Sequence, residues 1–139
     1  PYGKFVLPDA IDFDIVFVSA GTGIAPFRSM IPGLLNGPVQ RKVWNLFGTR
    51  YENMIPYHEE FLDQARRYPN LTYIPTLSRP GPDWKGEAGY VQTKIEKYLS
   101  NPEGKRVYIC GLHDMIQAVQ AECLKHGYTK DQIHYERYD

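Results

Sequence analysis

The 139-residue sequence is poor in metal- and disulfide-forming side chains. Its two cysteines, Cys110 and Cys123, form no C-x-x-C pair, and His58, His113, His126 and His134 lack the spacing of a metal-ligand set. No metal site is expected, and the two thiols fit a reducing compartment better than a disulfide scaffold, so a cytoplasmic location is expected. Charge of one sign is also missing. Sixteen Lys and Arg balance sixteen Asp and Glu, so no long-range field steers the chain to nucleic acid or to an anionic membrane. Any anion must be bound locally. No apolar run approaches the roughly 20 residues of a spanning helix, and no charged-then-apolar leader opens the chain, so no membrane span is expected. Internal repeats and low-complexity tracts are absent too. What remains, 42% hydrophobic and 23% charged, is the composition of a globular domain.

The most informative stretch runs from Asp14 to Ser29. Asp14-Ile15-Val16-Phe17-Val18 is β-branched and aromatic with no polar alternation, the pattern of a parallel strand buried on both faces. Gly21 and Gly23 end it. Glycine permits torsions that a Cβ forbids and lets a ligand approach the main chain. Thr22 between them adds a hydroxyl. A helix is expected from about Ile24, with Pro26 in the first turn, where a missing N–H costs nothing. Its unpaired N–H groups would face the turn and attract an anion such as a phosphate. The motif is neither G-x-G-x-x-G, since Pro26 stands where the last glycine would be, nor a Walker loop. Taken alone it also fits a purely structural tight turn.

The rest of the chain alternates strand and helix patterns. Ile24, Phe27, Met30, Ile31 and Leu34 form a helical stripe, ended by Gly37-Pro38. Val43–Phe47 is a strand running into Gly48-Thr49-Arg50. Pro56 to Tyr68 reads as an amphipathic helix with Tyr57, Phe61, Leu62 and Ala65 inward. Leu71–Leu77 is a third strand, followed by the proline- and glycine-rich loop Ser78–Gly86, a candidate binding loop. A helix over Tyr90–Leu99 turns Val91, Ile95 and Tyr98 inward. Arg106–Cys110 is a fourth strand, Met115–His126 a helix with Ile116, Val119 and Leu124 repeating, and a last strand starts at Gln132. The expected fold is a three-layer α/β/α, Rossmann-like nucleotide-binding domain with about five parallel strands. The loops gathered at the carboxyl edge carry the glycines, Arg50, Ser78, Arg79 and Cys110.

Taken together, G-T-G-I-A-P-F-R-S at Gly21–Ser29, L-F-G-T-R at Leu46–Arg50, Ser78-Arg79, Y-x-Q at Tyr90–Gln92 and Y-I-C-G-L at Tyr108–Leu112 resemble the ferredoxin–NADP reductase superfamily over nearly the whole chain. The resemblance implies that residues 9–139 are the NAD(P)H-binding domain of a flavoprotein reductase. Residues 1–8, with P-Y-G-K-F, would be the tail of a preceding FAD-binding β-barrel that is not part of this sequence. The implied function is hydride transfer from NAD(P)H to FAD for electron delivery to an iron–sulfur or haem partner. A nucleotide-binding regulatory module without redox activity is the alternative, which would have no need of a thiol and a carboxylate at the nicotinamide end.

Residue roles follow from the same resemblance. Gly21, Thr22, Gly23, Ile24, Ala25 and Pro26 would cradle the pyrophosphate. Arg50, Gly111, Leu112 and Met115 would add further contacts with the cofactor. Cys110 would lie against the nicotinamide ring to position it, although a free cysteine is also a common buried hydrophobe. Glu136 would stand near the ring, and Tyr138 would stack on the flavin, a role that the following Asp139 leaves open against that of an exposed tyrosine. Ser78, Arg79, Tyr90 and Gln92 would grip the 2′-phosphate and adenine, which favours NADPH, with NADH as the alternative. Ala88 stands where the family carries an additional lysine, and W-x-G-x-x-G from Trp84 to Gly89 also occurs in NADH-using relatives.

Overall fold

The computed structural model describes residues 7–8, 10–37 and 41–138. Six strands, β1 (Asp14–Ala20), β2 (Val43–Thr49), β3 (Leu71–Leu77), β4 (Glu87–Ala88), β5 (Lys105–Gly111) and β6 (Ile133–Arg137), form one sheet in the order β4-β3-β2-β1-β5-β6. Every pairing is parallel. The helices α1 (Ile24–Leu35), α2 (His58–Arg67), α3 (Thr93–Tyr98) and α4 (His113–Lys125) connect them.

Alternate side chains of β1 leave on opposite faces, as the strand's two-residue period requires, and each face has its own core. Ile15 and Phe17 pack with Ile24, Phe27 and Ile31 of α1 and Phe61 of α2. Val16 and Val18 pack with Ile95 of α3 and Ile116, Val119 and Cys123 of α4. Because β1 is covered on both sides, its central residues are wholly buried, which explains the unbroken apolar run. Phe27 anchors the first layer, its ring centroid 4.5 Å from that of Phe17.

Several details depart from the sequence reading. The sheet has six strands, because Glu87–Ala88 adds a two-residue edge strand beside Thr76 and Leu77. Helix α2 starts at His58 because Tyr57 adopts a left-handed conformation, φ 58°, with 44% of its surface exposed. The Arg28 guanidinium covers that ring at 3.9 Å while pairing with Glu60 at 2.9 Å. Helix α3 starts only at Thr93, where Tyr98 is exposed and Lys94 is buried in its place. In α4 the buried position is Cys123, and Leu124 faces out. Pro38 and residues 1–6 of the expected barrel tail lie outside the described residues; of that tail, Leu7 packs on the first core. Among the described residues no helix is long and apolar enough to cross a membrane, and no group of His, Cys, Asp or Glu is placed to hold a metal ion.

From β1 the chain builds outward through β2, β3 and β4, then returns to place β5 and β6 on the other side. The boundary between β1 and β5 is therefore a topological switch point, where open α/β sheets leave a crevice beyond the carboxyl ends of their strands.

Candidate functional site

Strand β1 ends in a single 3-10 turn, Gly21–Gly23, that leads directly into α1. Gly21 has φ 58°, and a Cβ built on it would meet nothing within 4 Å. The backbone there favours glycine and faces open space. Gly23 is different. It is buried, and a Cβ would overlap the Cys110 carbonyl group, lying 2.8 Å from its carbon and 3.2 Å from the Gly111 nitrogen. The expectation that glycine at 23 makes room for a ligand is thus corrected: it makes room for β5. Ile24, Ala25 and Pro26 form the first turn of α1, with no side-chain cap and no acidic residue. The positive end of the helix has no internal counter-charge there.

Beside this turn lies a cavity of about 520 Å³. It is lined by Ala20 and Gly21 after β1, by Gly48, Thr49, Arg50 and Met54 at the end of β2 and beyond, and by Ser78 and Arg79 after β3. Gly89, Tyr90, Val91 and Gln92 close it before α3, and Asp114, Met115 and Ala118 close it from α4. The loops carrying the two arginines are joined by main-chain bonds, Ser78 N–H to the Thr49 carbonyl at 2.9 Å and Arg79 N–H to the Arg50 carbonyl at 3.0 Å. Gly48 is needed because Val91 packs on it, a Cβ there falling 2.9 Å from the Val91 Cβ. Tyr90 stands 67% exposed at the cavity wall.

The cavity brings together Gly21, Arg50, Ser78, Arg79, Tyr90, Gln92 and Met115 of the residues singled out in the sequence. Thr22 and Ala25 lie exposed on the adjoining turn. Gly23, Ile24, Pro26, Cys110, Gly111, Leu112, Glu136 and Tyr138 are not in its wall. The sequence reading missed Met54, Asp114 and Ala118. Asp114 and Ala118 share a helical face with Met115, a signal available in the spacing. Met54 sits in an irregular segment that carries no such pattern.

A second group of residues forms at β5. Cys110 is in register with Ser19 of β1 and Glu136 of β6, so the three leave the sheet on one face. Burial, first, and the Glu136 charge push the Cys110 thiol up to about 11, against a hydrogen bond with the Tyr138 side chain. The thiol is therefore protonated at neutral pH and offers a soft apolar surface, not a nucleophile. Tyr138 is fixed by its main-chain N–H, which donates to the Gly111 carbonyl at 3.0 Å. Cys123, also free, is pushed up to about 12 by burial.

The profile of the oxidoreductase NAD-binding domain matches residues 17–121, most of the chain. The chain belongs to that family. Ferredoxin–NADP reductase B of Sorangium cellulosum (strain So ce56) is 35% identical over 146 residues, covering 100% of this chain and 60% of the relative. The phenol hydroxylase P5 protein of Acinetobacter pittii (strain PHEA-2) is 30% identical over 99% of this chain and 40% of its own length. Among solved structures, the Amycolatopsis cytochrome P450 reductase GcoB superposes with a TM-score of 0.88 over 99% of this chain and 42% of that one, at 24% identity, a likeness in fold. This NAD-binding domain is thus of the ferredoxin–NADP reductase type, and it spans about 40–60% of the length of these curated relatives.

Proposed function

We propose that the domain binds a pyridine nucleotide across the switch point and holds its nicotinamide for exchange with a flavin carried by another domain of the same natural protein. The observation that carries this reading is the cavity itself. The Gly21 turn and two arginines line it with Tyr90 and Gln92, and the uncapped start of α1 adjoins it, a donor set that fits a ligand with a pyrophosphate and an adenosine. When bound, the nicotinamide would supply a hydride to FAD, which passes electrons singly to an iron–sulfur or haem partner.

The chain's own residues bind and orient. Main-chain N–H groups of the Gly21–Ala25 turn, apart from that of Ile24, which donates to the Thr22 carbonyl, and the Thr22 hydroxyl would take the pyrophosphate. Arg79, with Ser78, would hold a 2′-phosphate by charge-assisted hydrogen bonds, Tyr90 and Gln92 the adenine, and Arg50 and Met115 the middle of the ligand. Cys110, protonated and apolar, would bear on the nicotinamide ring beside Glu136, keeping its C4 in line. Tyr138 in contact with Cys110 would give way to the ring or stack on the flavin. Residues 9–139 would be the nucleotide domain and residues 1–8 the tail of the flavin barrel. The names of the relatives, a ferredoxin–NADP reductase and a phenol hydroxylase component, support an electron-transfer role.

NADPH is the proposed cofactor, because Ser78-Arg79 carries no acidic residue to bind ribose hydroxyls and repel a phosphate. Calorimetric titration of the protein and of Arg79→Ala with NADPH and NADH tests this. The parent should prefer NADPH, and Arg79→Ala should lose that preference. Equal affinities in the parent, or an equal loss for both nucleotides, would refute the 2′-phosphate assignment.

A further inference from the structure

Lys94 is the one charged residue among the buried polar side chains of the described residues, 6% exposed. Its ammonium group donates to Glu87 Oε1 at 3.1 Å and to the Ala88 carbonyl at 2.8 Å. A buried cation is costly, and an apolar side chain of similar volume often stabilises a core as well or better, so packing alone does not account for a lysine here. The contacts suggest a geometric task. Lys94 reaches back from α3 to β4 and closes a ring of chain from Glu87 to Lys94, and the residues inside that ring are the Gly89–Gln92 wall of the cavity.

The ring is otherwise thinly tied. Strand β4 has only two residues on the sheet edge. Gly89, at φ 105°, donates its N–H to the Leu77 carbonyl at 2.8 Å and accepts from the Thr76 hydroxyl at 3.1 Å. Beyond it, Tyr90 is 67% exposed, and its carbonyl accepts from the Thr93 N–H and hydroxyl. The Glu87 carboxylate is itself fixed by Lys97 at 2.8 Å and by the Tyr98 hydroxyl, and its main-chain carbonyl by Trp84 Nε1 at 2.8 Å. A fixed carboxylate at one end and a buried cation at the other set the span across which Tyr90 and Gln92 are presented.

We propose that Lys94 is a positioning residue for nucleotide binding, clamping Glu87 and Ala88 so that Tyr90 and Gln92 stand against the bound nucleotide. This rests on the reading of the cavity given above. Glu87 keeps Lys97 and Tyr98 when Lys94 is removed, so Lys94→Met leaves no uncompensated buried charge and the fold should survive.

The test is titration calorimetry on the protein with NADPH and NADH, followed by the tighter-binding of the two on Lys94→Met, on Tyr90→Ala/Gln92→Ala, and on the triple variant. Lys94→Met should weaken binding tenfold or more at an unchanged circular dichroism spectrum, and should weaken it no further in the background lacking Tyr90 and Gln92. Parent-like affinity in Lys94→Met, or the same fold-loss with Tyr90 and Gln92 absent, would overturn the clamp while leaving the cavity's function standing. A parent that binds neither nucleotide would overturn both. Should Lys94→Met not fold, Lys94→Met/Glu87→Gln, which removes both charges of the pair together and keeps the Trp84 bond to the main-chain oxygen, carries the same comparison under the same criteria.

Discussion

Gly23→Ala adds a single methyl group, and the structure says where it goes. The new Cβ would overlap the Cys110 carbonyl oxygen and lie 2.8 Å from its carbon and 3.2 Å from the Gly111 nitrogen. All three are main-chain atoms of β5, which no side-chain rotation can clear. Overpacking of this kind costs roughly 1–3 kcal/mol, and rigid neighbours place it toward the upper end. For a domain of this size about 4 °C of melting temperature goes with each kcal/mol, so a drop of roughly 4–12 °C is expected. Gly21→Ala is the matched control. Its Cβ has free space but a left-handed φ of 58°, worth about 1–2 kcal/mol. It should melt closer to the parent yet bind nucleotide worse, because its methyl faces the cavity. Thermal unfolding followed by circular dichroism separates the two. A Gly23→Ala protein melting within about a degree of the parent would refute the contact between the turn and β5.

Phe27→Ala, which empties a fully buried position against Phe17, should cost about 3–5 kcal/mol in denaturant unfolding; a loss below about 1 kcal/mol would contradict the packing of α1. Glu87 is held well below the usual 4.5, at about 2, chiefly by hydrogen bonds from Lys97 and Tyr98. Its contribution is present above pH 4.5 and lost as pH falls toward 2, so the stability gap between parent and Glu87→Gln, at most about 3.4 kcal/mol at neutral pH for this shift and smaller once solvent screening is allowed for, should close over that window; a gap independent of pH would refute the depressed acid. Cys110, raised to about 11 and buried, should alkylate at pH 8 far more slowly in the native protein than in urea, and equal rates would contradict its burial.

The parts of this architecture that were legible in the sequence are those whose cause is local. Ile15–Val18 announces a doubly covered strand by composition, and Gly21 announces the turn because its backbone takes the left-handed region that glycine enters without strain. Arg79 and Tyr90 could be singled out by motif, and the cavity unites them with Gly21 and Met115. What escaped depends on contacts between distant segments. Glu87–Ala88 has no strand pattern and becomes one by pairing with Thr76 and Leu77. The sequence reading passes over Lys94, whose burial depends on Glu87, seven positions earlier, which neutralises it. Gly23 looks like a ligand-facing glycine until β5 arrives beside it. Cys123 takes the inward place given to Leu124, because it stands seven residues, two helical turns, after Ile116, whereas Leu124 at eight is rotated off that face.

The central claim is that a pyridine nucleotide lies along the carboxyl edge from the Gly21 turn to Tyr90. Amide chemical-shift mapping by NMR during addition of NADPH tests it most directly. The account predicts saturable shifts at Gly21, Thr22, Ile24 and Ala25 and at Arg50, Arg79, Tyr90, Gln92 and Met115, and no shifts at Tyr73 and Lys85, which line a separate groove beside β4. Shifts confined to other surfaces, or none at saturating nucleotide, would contradict it.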